Sequence, residues 1–331
     1  MPSTLRELAD RCHFTLGAAT LSERNFLANS AYQQLHTQHF NLLVPANAMK
    51  CHEVCRTPQQ YDFSVPDTLI EIATQHQQKM RGHTLCWHHS YAPWMQNLTS
   101  LELETVLRDF IITTVERYRG RIYAYDVVNE ALKDDGYPRN SIWRSIENFI
   151  PKCFQWAHEA DPHAQLLYLD YRVHTTGRWQ AIAKMVRELK AAGIPIHGVG
   201  MQLHHDVFRS LAISGIRLAG AIRDLRKLGV TVHICEVSIG IPKSAQSLPS
   251  AVKFNLQAQA YRQIVKAALE AGAESCNLWG YSDLYACHVP PENDPNDTPA
   301  VFDEHLQPKS AYQALCDELT RYAQRSGRAA A

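Results

Sequence analysis

Ile122-Tyr123-Ala124-Tyr125-Asp126-Val127-Val128-Asn129-Glu130 reads as a short apolar strand closed by an amide and a carboxylate. Turn residues normally mark a strand end, and polar groups beside a buried strand are costly unless they are used. Asn129-Glu130 is therefore a candidate site at the end of a strand. Outward from it, apolar and β-branched runs recur at 14–19, 40–44, 79–86, 165–169, 196–201, 230–235 and 275–279, making eight with 122–128. Amphipathic helical stretches lie between them at 66–78, 101–118, 141–159, 177–192, 216–227 and 255–271. Strand and helix alternating in this way predict an α/β fold, a parallel (β/α)8 barrel of the TIM type. A doubly wound open sheet is the runner-up. It normally carries a Gly-rich phosphate turn after its first strand, and Leu16-Gly17-Ala18 holds a single glycine.

No Pro/Gly/Ser-rich linker or low-complexity segment interrupts the series, so residues 1–331 are expected to form a single domain. A chain that is 45% hydrophobic and 20% charged can bury a large core. Lys plus Arg and Asp plus Glu number 33 each, a balance that sets up no field for nucleic acid or an anionic membrane. Without a run of eighteen apolar residues no membrane span is expected either, and the expected partner is neutral. The reading is of a monomer. The first ten residues look like a charged helix opening rather than a secretory signal, which predicts a cytoplasmic protein as the sequence stands, or a secreted one trimmed of its signal. Nine scattered cysteines fit reduced thiols better than a disulfide framework.

Polar residues gather where the candidate strands end. Asn47 and Lys50 follow the second; His83, Trp87 and His88 surround the end of the third; Asn129 and Glu130 close the fourth. Gln202 and His204 follow the sixth, Glu236 ends the seventh and Trp279 the eighth. Catalytic groups of parallel barrels sit at these strand ends. Two carboxylates among tryptophans, histidines and amides suggest glycoside hydrolysis, in which one acid protonates the leaving oxygen and the other carboxylate attacks or activates water. Trp87 and Trp279 suit the apolar faces of sugar rings, and Asn129, Gln202, Lys50 and the histidines suit hydroxyls. A plainer reading makes the tryptophans core aromatics and the carboxylates ion-paired groups. Asp126 reads as structural, pairing with a neighbouring arginine or histidine.

The chain resembles glycoside hydrolase family 10, the endo-β-1,4-xylanase family. Seven segments between Phe40 and Lys309 carry the likeness: Asn47-Ala48-Met49-Lys50, Arg81 to His88, Tyr125 to Glu130, Gly198 to His204, Cys235-Glu236, Trp279 to Asp283, and Phe302 to Lys309. The resemblance implies a retaining mechanism with Glu130 as general acid/base, Glu236 as nucleophile and His204 orienting that nucleophile. It places Asn129 on the sugar 2-hydroxyl, Lys50 and His83 on the 3-hydroxyl side, and Trp87 and Trp279 as floor and wall. It requires no metal and no cofactor. Cys51-His52-Glu53-Val54-Cys55 and the doublets His88-His89 and His204-His205 lack zinc-site spacing.

Departures from the family pattern fall on the glycone side: Ala46 for a glutamate, Cys51 for a tryptophan, Ser90 for a glutamine, Ser238 for an aspartate and Cys287 for a second tryptophan. Ser90 and Cys287 are expected to open space for a hexose hydroxymethyl group, and Ala46 to weaken xylobiose binding. The expectation is a β-glycoside hydrolase preferring hexose-containing glycones, on oligosaccharide, polysaccharide or glycoside substrates. Alternatives are a glycoalkaloid or saponin glycosidase of the same family, a transglycosylase, and a non-catalytic carbohydrate-binding or sensing barrel. Residues 290–298 read as a loop and 321–331 as a frayed tail.

Overall fold

The computed structural model describes residues 3–285 and 298–327. Cys287 and residues 290–297 of the expected loop lie outside the described residues. Nine strands form one sheet: β1 (Thr15–Thr20), β2 (Leu42–Pro45), β3 (Lys79–Gly82), β4 (Cys86–Trp87), β5 (Ala124–Asn129), β6 (Gln165–Tyr171), β7 (Gly198–Asp206), β8 (Thr231–Gly240) and β9 (Ser275–Leu278). Their order is β3-β2-β1-β9-β8-β7-β6-β5-β4, and β3 also pairs with β5, so the series returns on itself. With helices between successive strands, this is the (β/α)8 barrel topology. The expected third strand is split in two. Leu85 N and Thr84 Oγ1 both donate to Asp126 O, which takes residues 83–85 out of a simple ladder before β4 pairs with the end of β5.

Two compact units divide the chain: Met1–Leu43 with Gln202–Asp224 and Val232–Ala331, and Val44–Met201 with Leu225–Thr231. In the second unit every residue of β5 is buried. Gly82 makes room for its neighbour Tyr125, since a Cβ there would fall 2.4 Å from the ring. The helix Ser100–Arg117 opens with a Thr99/Glu102 capping box that satisfies otherwise orphaned N–H groups, and it packs on the helix Phe149–Ala160. The helix expected over 141–159 is broken into the 3-10 turn Ile142–Ser145 and Phe149–Ala160, with left-handed Asn148 between them. Asparagine tolerates that conformation better than most residues.

In the first unit the helix Ser250–Ala271 packs on the C-terminal helix Ser310–Arg325, which also packs on Leu5–Arg11. The last of these begins at a Thr4/Glu7 capping box. The C-terminal helix carries order through Arg325, so the expected fraying does not reach residues 321–325. Buried Gln257 donates from Nε2 to Ile239 O and Thr298 O. His36, on the helix Ser30–His39, is fully buried with Nε2 3.0 Å from Ala18 O, and burial pushes its imidazole down to about 4. Lys309 Nζ meets Asp283 Oδ2 at 2.7 Å, both nearly buried. The eight described cysteines are all buried free thiols.

Among the described residues, a bulge interrupts the ladder on β5 and another that on β8. On β5, Asp126 and Val128 pair with the consecutive residues Leu167 and Tyr168. On β8, Ile234 and Val237 pair with Cys276 and Leu278, which leaves one extra residue around Cys235-Glu236. A bulge bends its strand and re-aims the extra side chain.

Candidate active site

Glu130 immediately follows β5. Its backbone is left-handed (φ 54°), its N–H donates to Leu169 O, and its carbonyl accepts from Arg139 Nε. A non-glycine residue in that region costs about 1–3 kcal/mol, which the flanking hydrogen bonds over-determine. The side chain keeps 17% of its surface exposed. Trp87 Nε1 donates to Glu130 Oε2 at 3.1 Å, a contact not foreseen when the indole was read only as a sugar platform. Trp143 Nε1 fixes Trp87 through its carbonyl, and Lys50 Nζ lies 4.5 Å from the centre of the Trp87 ring. Lys50 Nζ also donates to Asn47 Oδ1 at 3.1 Å. Asn129, buried, is in register with Trp87. Asn47, Lys50, Trp87, Asn129 and Glu130 are thus connected within one unit.

Behind them lies a buried charge cluster. Asp126 accepts from Arg81 Nε (2.7 Å) and Nη2 on one oxygen, and faces His83 Nδ1 on the other at 2.9 Å. Asp126 was expected to take an arginine or a histidine; it takes both. His83, assigned to the substrate from the sequence, is buried on this carboxylate. A second cluster was not anticipated. Asp170, at the end of β6, accepts from Arg178, Tyr168 Oη and Tyr171 N, and burial pushes its carboxyl up to about 7 against the pull of Arg178. Its side-chain partners lie 2 and 8 residues away in sequence, with no motif to mark them.

His88 Nδ1 stands 3.9 Å from Glu130 Oε2 and has no hydrogen-bond partner. Burial, with the neighbouring charges of His89 and Arg139, pushes its imidazole down to about 3, so the ring is neutral. Among the described residues no group of three His, Cys, Asp or Glu side chains could hold a metal ion. Ser90 has no exposed surface, and its hydroxyl meets His52 Nδ1 at 3.2 Å. The space expected from this small residue is therefore taken up by an imidazole on the short helix Cys51–Val54. Ala46 and Cys51 are buried as well.

In the other unit, Glu236 sits on the β8 bulge, left-handed at φ 54° like Glu130. Both of its oxygens are engaged. Gln202 Nε2 donates to Oε1 at 3.0 Å, and His204 Nε2 faces Oε2 at 2.9 Å, both partners coming from β7. Two donors on two oxygens fix the plane of a carboxylate in one orientation. Trp279 sets its ring edge-on to His204, with centroids 6.0 Å apart. His204 Nδ1 has no hydrogen-bond partner, and Ser238, two residues beyond Glu236, is the position where an aspartate was expected. Each glutamate thus combines a left-handed backbone with at least one hydrogen-bond partner on its carboxylate.

The family model for glycosyl hydrolase family 10 matches residues 4–318. A beta-1,4-xylanase of Dictyoglomus thermophilum is 34% identical over 312 residues, covering 91% of this chain and 87% of that protein. Endo-1,4-beta-xylanase B of Thermotoga neapolitana is 32% identical over 320 residues, covering 94% and 90%. Among solved structures, native xylanase 10B from Thermotoga maritima superposes with a TM-score of 0.90 at 31% identity, over 97% of this chain and 99% of that one.

Proposed function

This chain belongs to glycosyl hydrolase family 10 and is a xylanase-like glycoside hydrolase, and from that premise we propose a retaining double displacement with Glu236 as nucleophile and Glu130 as general acid/base. Glu236 attacks the anomeric carbon while Glu130 gives its proton to the leaving oxygen; water, deprotonated by Glu130, then releases the sugar from Glu236. Gln202 and His204 keep Glu236 from rotating away from the attack line, a positioning effect that lowers the barrier without touching substrate. Trp87 presents an N–H to Glu130 and a face towards Lys50. Asn129 takes the 2-hydroxyl, where a hydrogen bond strengthens in the transition state. The observation that carries this reading is the two-donor clamp on Glu236.

For specificity, we propose a glycone side that reads xylobiose poorly and accepts hexose-containing glycones. Ala46, Cys51 and Ser238 support it, since the carboxylates and large side chains of the family pattern are absent at each, whereas the room left at Ser90 is filled by His52. The test is turnover of aryl β-xylobioside, β-cellobioside and β-lactoside, with the anomer of the first product followed by NMR. Retention of configuration and loss of turnover in Glu236→Ala are expected. Inversion, or undiminished turnover in that variant, overturns the mechanism; a strong preference for the xylobioside overturns the specificity.

A further inference from the structure

We infer that His52, braced by Ser90, is a specificity-determining residue that receives a hydroxyl of the second sugar of a β-linked disaccharide glycone. The inference rests on the hydrolase reading and names a ligand for it. Glu130 is joined to Trp87, and Trp87 lies under Lys50, so these groups bracket the sugar next to the acid. Ser90 closes a turn back onto Trp87 through Ser90 N donating to Trp87 O at 2.9 Å, and His52 stands two residues beyond Lys50. The two extensions meet at His52 Nδ1 and Ser90 Oγ. His52 is thus joined to Glu130 through Ser90 and Trp87, and the second sugar is assigned to the His52 end of that chain.

Exposure separates the imidazole from its surroundings. Lys50, Cys51, Val54 and Ser90 are buried, whereas the His52 side chain keeps 32% of its surface. Its Nε2 is 3.6 Å from Glu53 Oε1, beyond hydrogen-bond distance, and Glu53 itself is engaged by Arg56. The charges facing the ring are Glu53, Lys50 and Arg56; burial, with the two cations, outweighs Glu53 and keeps the imidazole neutral at neutral pH. A neutral ring whose Nδ1 is satisfied by a serine hydroxyl has one nitrogen left for a ligand. In one tautomer Nε2 donates and in the other it accepts, and a sugar hydroxyl complements either. The side chain therefore replaces, with a single imidazole, hydrogen bonding that the glutamate and glutamine of the family pattern would have supplied at positions 46 and 90.

The experiment compares 4-nitrophenyl β-cellobioside and β-xylobioside with the corresponding monosaccharide glycosides in wild type, His52→Ala and Ser90→Ala. In His52→Ala the ratio of kcat/KM for disaccharide over monosaccharide is expected to fall about tenfold, mostly through KM, the equivalent of one hydrogen bond. Ser90→Ala, which only unlocks the ring, should lower the same ratio by about two- to fivefold and serves as the second probe if His52→Ala folds poorly. Calorimetric binding of cellobiose and xylobiose to Glu236→Ala, with and without His52→Ala, reads the same contact without turnover. If wild type hydrolyses none of these glycosides yet His52→Ala weakens disaccharide binding, the hydrolase reading fails and the contact stands. If His52→Ala changes mono- and disaccharide kinetics equally, or leaves disaccharide binding untouched, the inference is overturned.

Discussion

Replacing Asp126 by alanine should be among the most damaging single changes in the second unit. The Arg81 and Asp126 side chains are 1% and 2% exposed, so the guanidinium has no solvent to fall back on when its carboxylate is removed. Stripping one partner from a buried ion pair costs about 3–5 kcal/mol, and His83 Nδ1 loses its acceptor in the same step. Against a total stability of roughly 5–15 kcal/mol, such a loss moves the urea midpoint far down. The double variant Arg81→Met/Asp126→Leu removes both charges and leaves mainly His83 unsatisfied, a cost of about 1–3 kcal/mol. Urea denaturation at neutral pH should therefore find the double variant more stable than Asp126→Ala by about 2 kcal/mol. Asp126 lies four residues before Glu130 with the β5 bulge between them, so activity in Asp126→Ala should fall at urea concentrations where fluorescence is still native. If the double variant loses the sum of the two single losses, Arg81 and Asp126 are not coupled as described and the reasoning fails.

Three further outcomes are expected. Unfolded histidine binds a proton below about pH 6.5, whereas folded His36 does so only below about 4, so its contribution is present above pH 6.5 and lost as pH falls towards 4. Replacing it by leucine should flatten the stability difference between pH 7.5 and 4.5 by about 3 kcal/mol, and an unchanged slope would count against it. Gly82→Ala should cost about 1–3 kcal/mol in a thermal or urea melt, because Tyr125 is fully buried and its ring cannot retreat from the new methyl; a neutral effect would contradict the packing. Lys309→Met strands Asp283, whose carboxyl burial already raises. The loss should be about 3 kcal/mol at pH 8 and smaller at pH 5, where protonation relieves the lone carboxylate, and a deficit independent of pH would refute the pairing.

The apolar runs at 122–128, 165–169, 230–235 and 275–279 were legible because buried parallel strands are continuous in hydrophobicity, and each run overlaps an observed strand. The break between β3 and β4 was not, since residues 83–85 interrupt the ladder through hydrogen bonds to Asp126 rather than through turn residues. The helices Ser30–His39 and Ser310–Arg325 escaped notice. The first carries several glutamines and histidines and only a weak apolar stripe, and the second follows the last recognised motif. Glu130 and Glu236 stood out as carboxylates after apolar runs, although β8 continues past Glu236 to Gly240. Their left-handed backbones and the extra residue on β8 did not, because a bulge depends on which residue of the neighbouring strand is opposite. His52 was read only as one of a cluster of metal-like side chains, and its pairing with Ser90 spans 38 residues.

The buried thiols make the native chain its own reporter of breathing. A maleimide or disulfide reagent reaches such a group only when the surrounding segment opens, so labelling rates measure opening free energies segment by segment. Cys12, whose Sγ donates to Leu319 O, samples the N-terminal helix against the C-terminal one; Cys51 and Cys86 sample the surroundings of the His52 helix and of β4; Cys276 samples β9. Labelling followed by mass spectrometry would rank these segments in the unmutated enzyme. An oxidant likewise reaches the eight described thiols only where the segment around them has opened.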